Sequence, residues 1–200
     1  GRPGPVVLVL PEDMLTRPVK AQALGRVEPV QAWSDPGALR TLRDLLLAAR
    51  KPLVIAGGGG WTTQAAQALQ RFAENWQLPV ANAFRFQDTF DNHHPLYAGD
   101  VGIGIGPALA QAVRESDLIL ALGPRLGEMT TSGYTLLQAP KPVQKLVHIH
   151  GSPEELNRVY QADLAILATM NAAARSLEVL TAPTELPWTE WTQQVHQGYL

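Results

Sequence analysis

The sequence predicts an α/β domain built on a doubly wound, mostly parallel sheet with helices on both faces and a linker tail at each end. Three observations predict it. Short apolar blocks without polar alternation, such as Leu53-Val54-Ile55-Ala56 and Leu118-Ile119-Leu120-Ala121, suit strands buried on both faces. These blocks alternate along the chain with segments of helical period. Glycine- and proline-rich turns separate the two kinds of segment, and no repeat period is evident. The pattern places one domain over 35–182. Residues 1–34 read as the end of a preceding domain and a linker, and 183–200 as a linker towards a following domain.

Val6 to Leu10 is an unbroken run of strand formers between Gly4-Pro5 and Pro11, but the residues after it offer no partner strand. With a chain that opens on Gly1 instead of Met, this reads as an excised piece of a larger protein, cut before a strand of the preceding domain. Leu15 to Trp33 is polar and broken by prolines, hence a linker. Ser34-Asp35-Pro36 opens a helix, with Ser34 or Asp35 to cap and Pro36 suited to the first turn. Leu39, Leu42, Leu45, Leu46 and Ala49 give it an apolar stripe. The strand Leu53–Ala56 follows Pro52, and Trp61 to Trp76 is a second helix with Ala65, Leu69, Phe72 and Trp76 on one face.

Leu78 to Ala81 is a short strand, and Ala83 to Gly106, rich in Gly, His, Asp and Asn, is expected to be mostly loop. A helix runs from about Pro107 to Arg114, a buried strand from Asp117 to Leu122, and a second loop from Gly123 to Pro142. Lys145 to Ile149 is a strand, and Ser152-Pro153-Glu154-Glu155 has the form of a capping box that starts a helix. The strand Leu164–Leu167 and a helix over Asn171–Leu180 come next. Pro183 and Pro187 then break the pattern ahead of a final stretch with Trp188 and Trp191.

Composition narrows the function classes. The formal net charge is −2, and Lys and Arg are scattered without a basic stripe, which argues against nucleic-acid binding. Charged residues make up 17% against the usual ~25%, as expected where part of a surface faces other domains or where the chain is simply rich in Ala and Leu. No apolar run approaches the roughly 18 residues of a membrane span, and no basic segment followed by a long apolar one marks a secretory signal. Cysteine is absent, which removes disulfides, zinc–thiolate sites and cysteine nucleophiles.

Three loops hold candidate binding residues. Gly57, Gly58, Gly59 and Gly60 lie between a strand and a helix, where a Rossmann-like domain holds a phosphate on backbone N–H groups and a helix N-terminus. The dinucleotide fingerprint is incomplete, because its third glycine position is Thr62. The bare alternative is a tight turn that binds nothing. Gly99 to Pro107 is a second glycine-rich loop, without Lys or Arg, and reads first as a surface connection. Arg125 follows a buried strand at the carboxyl end of the sheet, where it could pair with a phosphate or with a neighbouring domain. His148 and His150 share one strand face, but a metal site would need a third ligand that the sequence does not place. No phosphate loop with Lys, no nucleophile elbow and no general acid–base pair is present, so no catalytic residue is assigned.

The opening GRPGPVVLVLPEDM resembles the segment that closes the pyrimidine-binding domain of thiamine-diphosphate enzymes of the acetolactate synthase, pyruvate oxidase and oxalyl-CoA decarboxylase type. Five further features, in the expected order, are similar to their central domain: the Gly57–Gly60 turn, DNHHPLYAGDVG (91–102), DLILALGPRLGEMTTSGYTLL (117–137), KLVHIHGSPEEL (145–156) and QADLAI (161–166). The resemblance implies a parallel sheet of roughly six strands that holds FAD or ADP in some members and is purely structural in others. It also implies a cytoplasmic parent enzyme, a lyase or transferase acting on a 2-oxo acid and assembled as a homodimer or homotetramer. Thiamine diphosphate and magnesium would then sit in the flanking domains, because the family's Gly-Asp-Gly…Asn motif is absent. Where members often read His-Ile-Asp-Ile-Asp-Pro, this chain has His148-Ile149-His150-Gly151-Ser152-Pro153, so the acids suited to an adenosine ribose are replaced. The plausible nucleotide contacts carried over are Gly57 to Gly60 and Arg125, and the domain alone is expected to be inactive. The alternative from another class is a self-sufficient NAD-type nucleotide-binding domain.

Overall fold

A computed structural model describes residues 4–200, so Gly1, Arg2 and Pro3 of the opening segment lie outside the described residues. Six strands form one sheet: β1 (Pro52–Ala56), β2 (Val80–Ala83), β3 (Tyr97–Val101), β4 (Leu118–Leu122), β5 (Lys145–His150) and β6 (Leu164–Leu167). Their order is β3-β2-β1-β4-β5-β6, and every pair is parallel. The chain winds outward from β1 to one edge, returns to the centre at β4 and winds to the other edge. The order therefore reverses between β1 and β4. Both strands are buried at every residue, as their unbroken apolar sequences require.

Among the described residues six α-helices accompany the sheet: α1 (Glu12–Leu15), α2 (Pro36–Ala48), α3 (Thr63–Trp76), α4 (Pro107–Glu115), α5 (Met170–Glu178) and α6 (Thr189–Gln197). The Asp35 carboxylate caps α2 by accepting from the Ala38 N–H at 2.8 Å, and Thr62 caps α3 by accepting from the Ala65 N–H. α3 packs along α5, and Thr62 donates from both N–H and Oγ1 to Asn171 Oδ1 at 3.0 and 3.1 Å. The starts of these two helices are thereby fastened together.

Several elements depart from the sequence reading. The loop expected over 83–106 contains β3, an edge strand whose Gly99 and Asp100 disfavour a strand on their own. Pairing with β2, across a register shift at Val80/Ala81, holds them in place. The strand expected at 78–81 lies two residues later, at 80–83. Ser152-Pro153-Glu154-Glu155 starts no helix, because the Glu155 carboxylate is taken by Arg125 and Arg158 and the chain turns repeatedly through 153–160.

The tails differ from each other. Val6–Leu10 is exposed and forms no strand, having no neighbour to hydrogen-bond. The segment 183–200, expected as a linker, carries the packed helix α6. Trp188 is buried and stacks on Trp76 with ring centroids 6.4 Å apart, and its Nε1–H donates to the Trp76 carbonyl at 2.8 Å. The Trp191 Nε1–H donates to the Pro52 carbonyl at 2.9 Å. Two indoles present too much apolar surface to remain on a solvated tail when their N–H groups can also be satisfied.

The backbone turns approach each other closely where the strand order reverses. A Cβ built on Gly58 (φ +76°) would stand 2.0 Å from the Gly123 carbonyl oxygen, and one on Gly123 (φ +88°) 2.2 Å from the Gly57 carbonyl oxygen. The turns after β1 and β4 therefore interlock backbone against backbone, and the ladder continues through them as Gly57 N–H donates to the Leu122 carbonyl at 3.0 Å. Gly60 shares the positive φ (+88°) but faces open space. Urea unfolding is expected to show Gly58→Ala losing roughly 3 kcal/mol through backbone overlap, and Gly60→Ala about 1 kcal/mol through φ alone. Equal losses at the two positions would contradict the interlock.

Candidate functional site

A cleft of about 310 Å³ opens at the carboxyl ends of β1, β4 and β5. This is the crevice where open α/β sheets take ligands, beside the point of strand reversal. Gly59, Gly60 and Gly123 border it from the interlocked turns, His150 and Gly151 from the end of β5, and Thr169 to Asn171 from the start of α5. The N-termini of α3 and α5 both reach this end of the sheet, so two helix dipoles present their positive ends here. Thr169, the N-cap of α5, makes no side-chain cap bond. Its hydroxyl donates instead to Gln31 Oε1 at 2.6 Å, and its N–H donates to the Ala32 carbonyl at 3.0 Å. The extended segment 29–31 is thereby laid along the cleft as one wall.

The glycines named from the sequence divide into two pairs. Gly59 and Gly60 border the cleft, whereas Gly57 and Gly58 are used in packing. A Cβ on Gly57 would meet Ala83, Phe86 and Pro124, and its carbonyl accepts the Trp61 Nε1–H at 2.8 Å. Arg125 lies elsewhere, in a smaller cavity that shares no lining residue with the cleft. Its Nε donates to Glu155 Oε2 at 3.3 Å. The second glycine loop is strand as far as Val101, stays buried at Gly102 and then runs exposed or half-exposed from Ile103 to Pro107.

His148 and His150 are neighbours, their rings 5.9 Å apart in an edge contact, but they serve different cavities. The Nδ1 of His150 accepts the Ser152 N–H at 2.9 Å, which fixes the ring at the rim of the cleft. The Nε2 of His148 contacts the Pro124 carbonyl at 3.0 Å and so carries the proton. Burial pushes His148 down to about 4, against the opposing hydrogen bond to Pro124. Among the described residues, no three His, Asp or Glu side chains come together to hold a metal ion. His93 is largely exposed, while His94 Nε2 meets Glu74 Oε1 at 3.1 Å and ties the 84–96 loop to α3.

Sequence reasoning missed Thr169, Asn171 and Gln31. The first two follow a strand and open a helix at the same end of the sheet as the glycine turn, a signal the pattern contained. Gln31 carried none, because it sits in a polar segment and reaches the cleft only through Thr169.

An open parallel sheet with helices on both faces and a cleft at its reversal point defines the Rossmann-like class of α/β domains. The family model described as the central domain of thiamine pyrophosphate enzymes matches residues 39–177, and this chain belongs to that family. It is 31% identical to an acetolactate synthase large subunit of Parasynechococcus marenigrum over 98% of this chain and 33% of the relative. It is 29% identical to a glyoxylate carboligase of Escherichia coli O157:H7 over 86% of this chain and 29% of the relative. The chain thus spans about a third of the length of the curated relatives it matches. A solved Mycobacterium smegmatis structure, assigned to the thiamin diphosphate-dependent enzymes, shares the fold with a TM-score of 0.63 at 22% identity, over 82% of this chain and 31% of that one.

The buried neutral His148 makes stability depend on pH. Between its folded value of about 4 and its ordinary 6.5, the unfolded chain binds more protons than the folded one. Stability therefore rises with pH across that window and falls as acid is added, by about 3 kcal/mol for this group. His148→Gln, which keeps an amide N–H for the Pro124 carbonyl, is expected to flatten that limb in urea titrations between pH 4 and 7. An unchanged slope would show that His148 is not the group responsible.

Proposed function

We propose that the chain is the non-catalytic central domain of a thiamine-diphosphate-dependent carboligase or decarboxylase acting on a 2-oxo acid. In this role it spaces and orients the domains that hold the cofactor and carries a nucleotide cleft for FAD or ADP. The observation that carries the reading is the cleft itself, where Gly59, Gly60 and the starts of α3 and α5 converge on one space walled by the 29–31 segment. Backbone N–H groups and helix N-termini suit a diphosphate, and the glycines let it approach. The fit is to phosphate more than to ribose, because His150 stands where an acid would hold the two ribose hydroxyls.

The positioning role has its own support. The segment entering the domain is pinned at Thr169 by Ala32 and Gln31, and the segment leaving it is pinned by Trp188 and Trp191. Chain on either side would leave from fixed points of a rigid sheet. Thiamine diphosphate, when bound, supplies the ylid chemistry that opens a 2-oxo acid, and flanking domains of a homodimeric or homotetrameric parent would hold it with magnesium. The residues of this chain contribute packing, the linker anchor and the cleft. A cytoplasmic setting accords with this reading, and no helix of the described residues is long and apolar enough to cross a membrane.

Thermal unfolding with FAD, ADP, NAD and coenzyme A tests the cleft. FAD or ADP at a hundredfold excess over its dissociation constant is expected to add about 2.7 kcal/mol to native stability. No response to either would remove the nucleotide role and leave an architectural domain. Carboligation of pyruvate by this chain alone, given thiamine diphosphate and magnesium, would overturn the non-catalytic reading.

A further inference from the structure

The segments that lead into and out of the domain are held with unequal strength. Trp188 and Trp191 bury the exit against the body of the domain, each with a satisfied indole N–H. The entry has no such core. From Arg17 to Asp35 the chain forms neither helix nor strand, and every residue of 4–30 is exposed. Its hold is a short stretch against the start of α5. Thr169 donates there from N–H to the Ala32 carbonyl at 3.0 Å and from Oγ1 to Gln31 Oε1 at 2.6 Å. The Arg175 guanidinium stands over the Trp33 ring at 5.3 Å, with Trp33 itself 55% exposed. A segment with so few buried apolar contacts belongs to the low-stability part of a domain and opens locally at small cost.

The same stretch is a wall of the cleft. Pro29, Val30 and Gln31 border it on one side, and Gly60, Gly123 and Gly151 border it from the sheet. Val30 is 90% exposed, so its side chain stands at the cleft with almost nothing packed on it. A ligand in the cleft touches this wall only while the stretch is docked on α5. It therefore binds the docked state better, and it shifts docking by that difference in affinity. The effect is reciprocal: a change that loosens docking weakens the ligand in proportion to the docked fraction lost.

We propose that residues 29–33 are a strap whose docking on α5 is coupled to an adenine nucleoside diphosphate in the cleft. Thr169 is the positioning residue of the strap and acts on the ligand through Gln31 and Ala32. The strap presupposes the nucleotide reading of the cleft and adds a regulation to it. Occupancy fixes the point at which the preceding segment enters the domain, and an empty cleft leaves that point loose. The exit stays packed in both states, because neither Trp188 nor Trp191 borders the cleft.

The chain has no cysteine, so spin labels at Val27→Cys and Val179→Cys, both exposed positions, report the distance from the strap to the far end of α5. ADP binding is followed in parallel by calorimetry. Without ligand the labelled chain is expected to give a broad distance distribution, which ADP narrows to a single peak. Thr169→Val is expected to broaden the ligand-free distribution further and to weaken ADP several-fold, whereas Thr169→Ser, which keeps the hydroxyl, stays close to wild type. Gln31→Ala leaves α5 untouched and is expected to act in the same direction, which keeps the test open if Thr169→Val folds poorly. ADP that binds without changing the distribution would overturn the coupling and leave the nucleotide cleft standing. Weaker binding by Thr169→Val with a wild-type distribution would mean that Thr169 acts by touching the ligand, which also overturns the strap. No binding of ADP to any of these proteins would remove the nucleotide reading and the strap together.

Discussion

The backbone-to-backbone contact between the turns after β1 and β4 is the constraint on which the site depends. Gly58 and Gly123 each lie where a Cβ would overlap the other turn, and both need positive φ. Their contact holds the two central strands in register to their last residues, from Pro52 against Leu118 to Ala56 against Leu122. It also leaves Gly59 and Gly60 at the border of the cleft, where a Cβ on Gly60 would face open space. A methyl group at either interlocked position would separate the turns and change the shape of the cleft. The glycines of this turn thus do two jobs, and only the second pair faces the ligand space.

The cleft end of the sheet also receives the segment that enters the domain. The 29–32 segment is tied to Thr169, which would otherwise be free to cap α5 with its hydroxyl. The cap bond is given up for an anchor, and the first-turn N–H groups of α5 are left without a side-chain cap. At the opposite side, the indoles of Trp76, Trp188 and Trp191 each donate to a backbone carbonyl, at Leu180, Trp76 and Pro52. Hydrophobic burial and satisfied N–H groups act together there, which is why α6 belongs to the packed body of the domain. A domain whose entry and exit are both fixed in this way is suited to set distances between its neighbours.

The fold was legible where short apolar blocks marked strands, buried throughout in β1 and β4 and only at Ile166 in the edge strand β6. Leu53–Ala56, Leu118–Leu122, Lys145–Ile149 and Leu164–Leu167 all stand as strands in the structure. Tyr97–Val101 was not legible, because Gly99 and Asp100 become strand only through pairing with β2. The apparent capping box at Ser152 misled for a related reason: Glu155 finds stronger partners in two arginines distant from any helix start. Of the candidate site, the glycine turn and its place after β1 could be read directly. The separation of Arg125 from the cleft could not, since it depends on how the chain turns after β4. Nor could the roles of Thr169 and Gln31, whose meeting spans most of the chain.

The most direct measurement is an amide nitrogen–proton NMR titration of the chain with ADP. The account predicts perturbations concentrated at Gly59, Gly60, Gly151 and Thr169 to Asn171, with Gln31 and Ala32 responding through the Thr169 anchor. Signals unmoved at saturating ADP, or moved around Arg125 and Arg158 while the cleft stays silent, would contradict it.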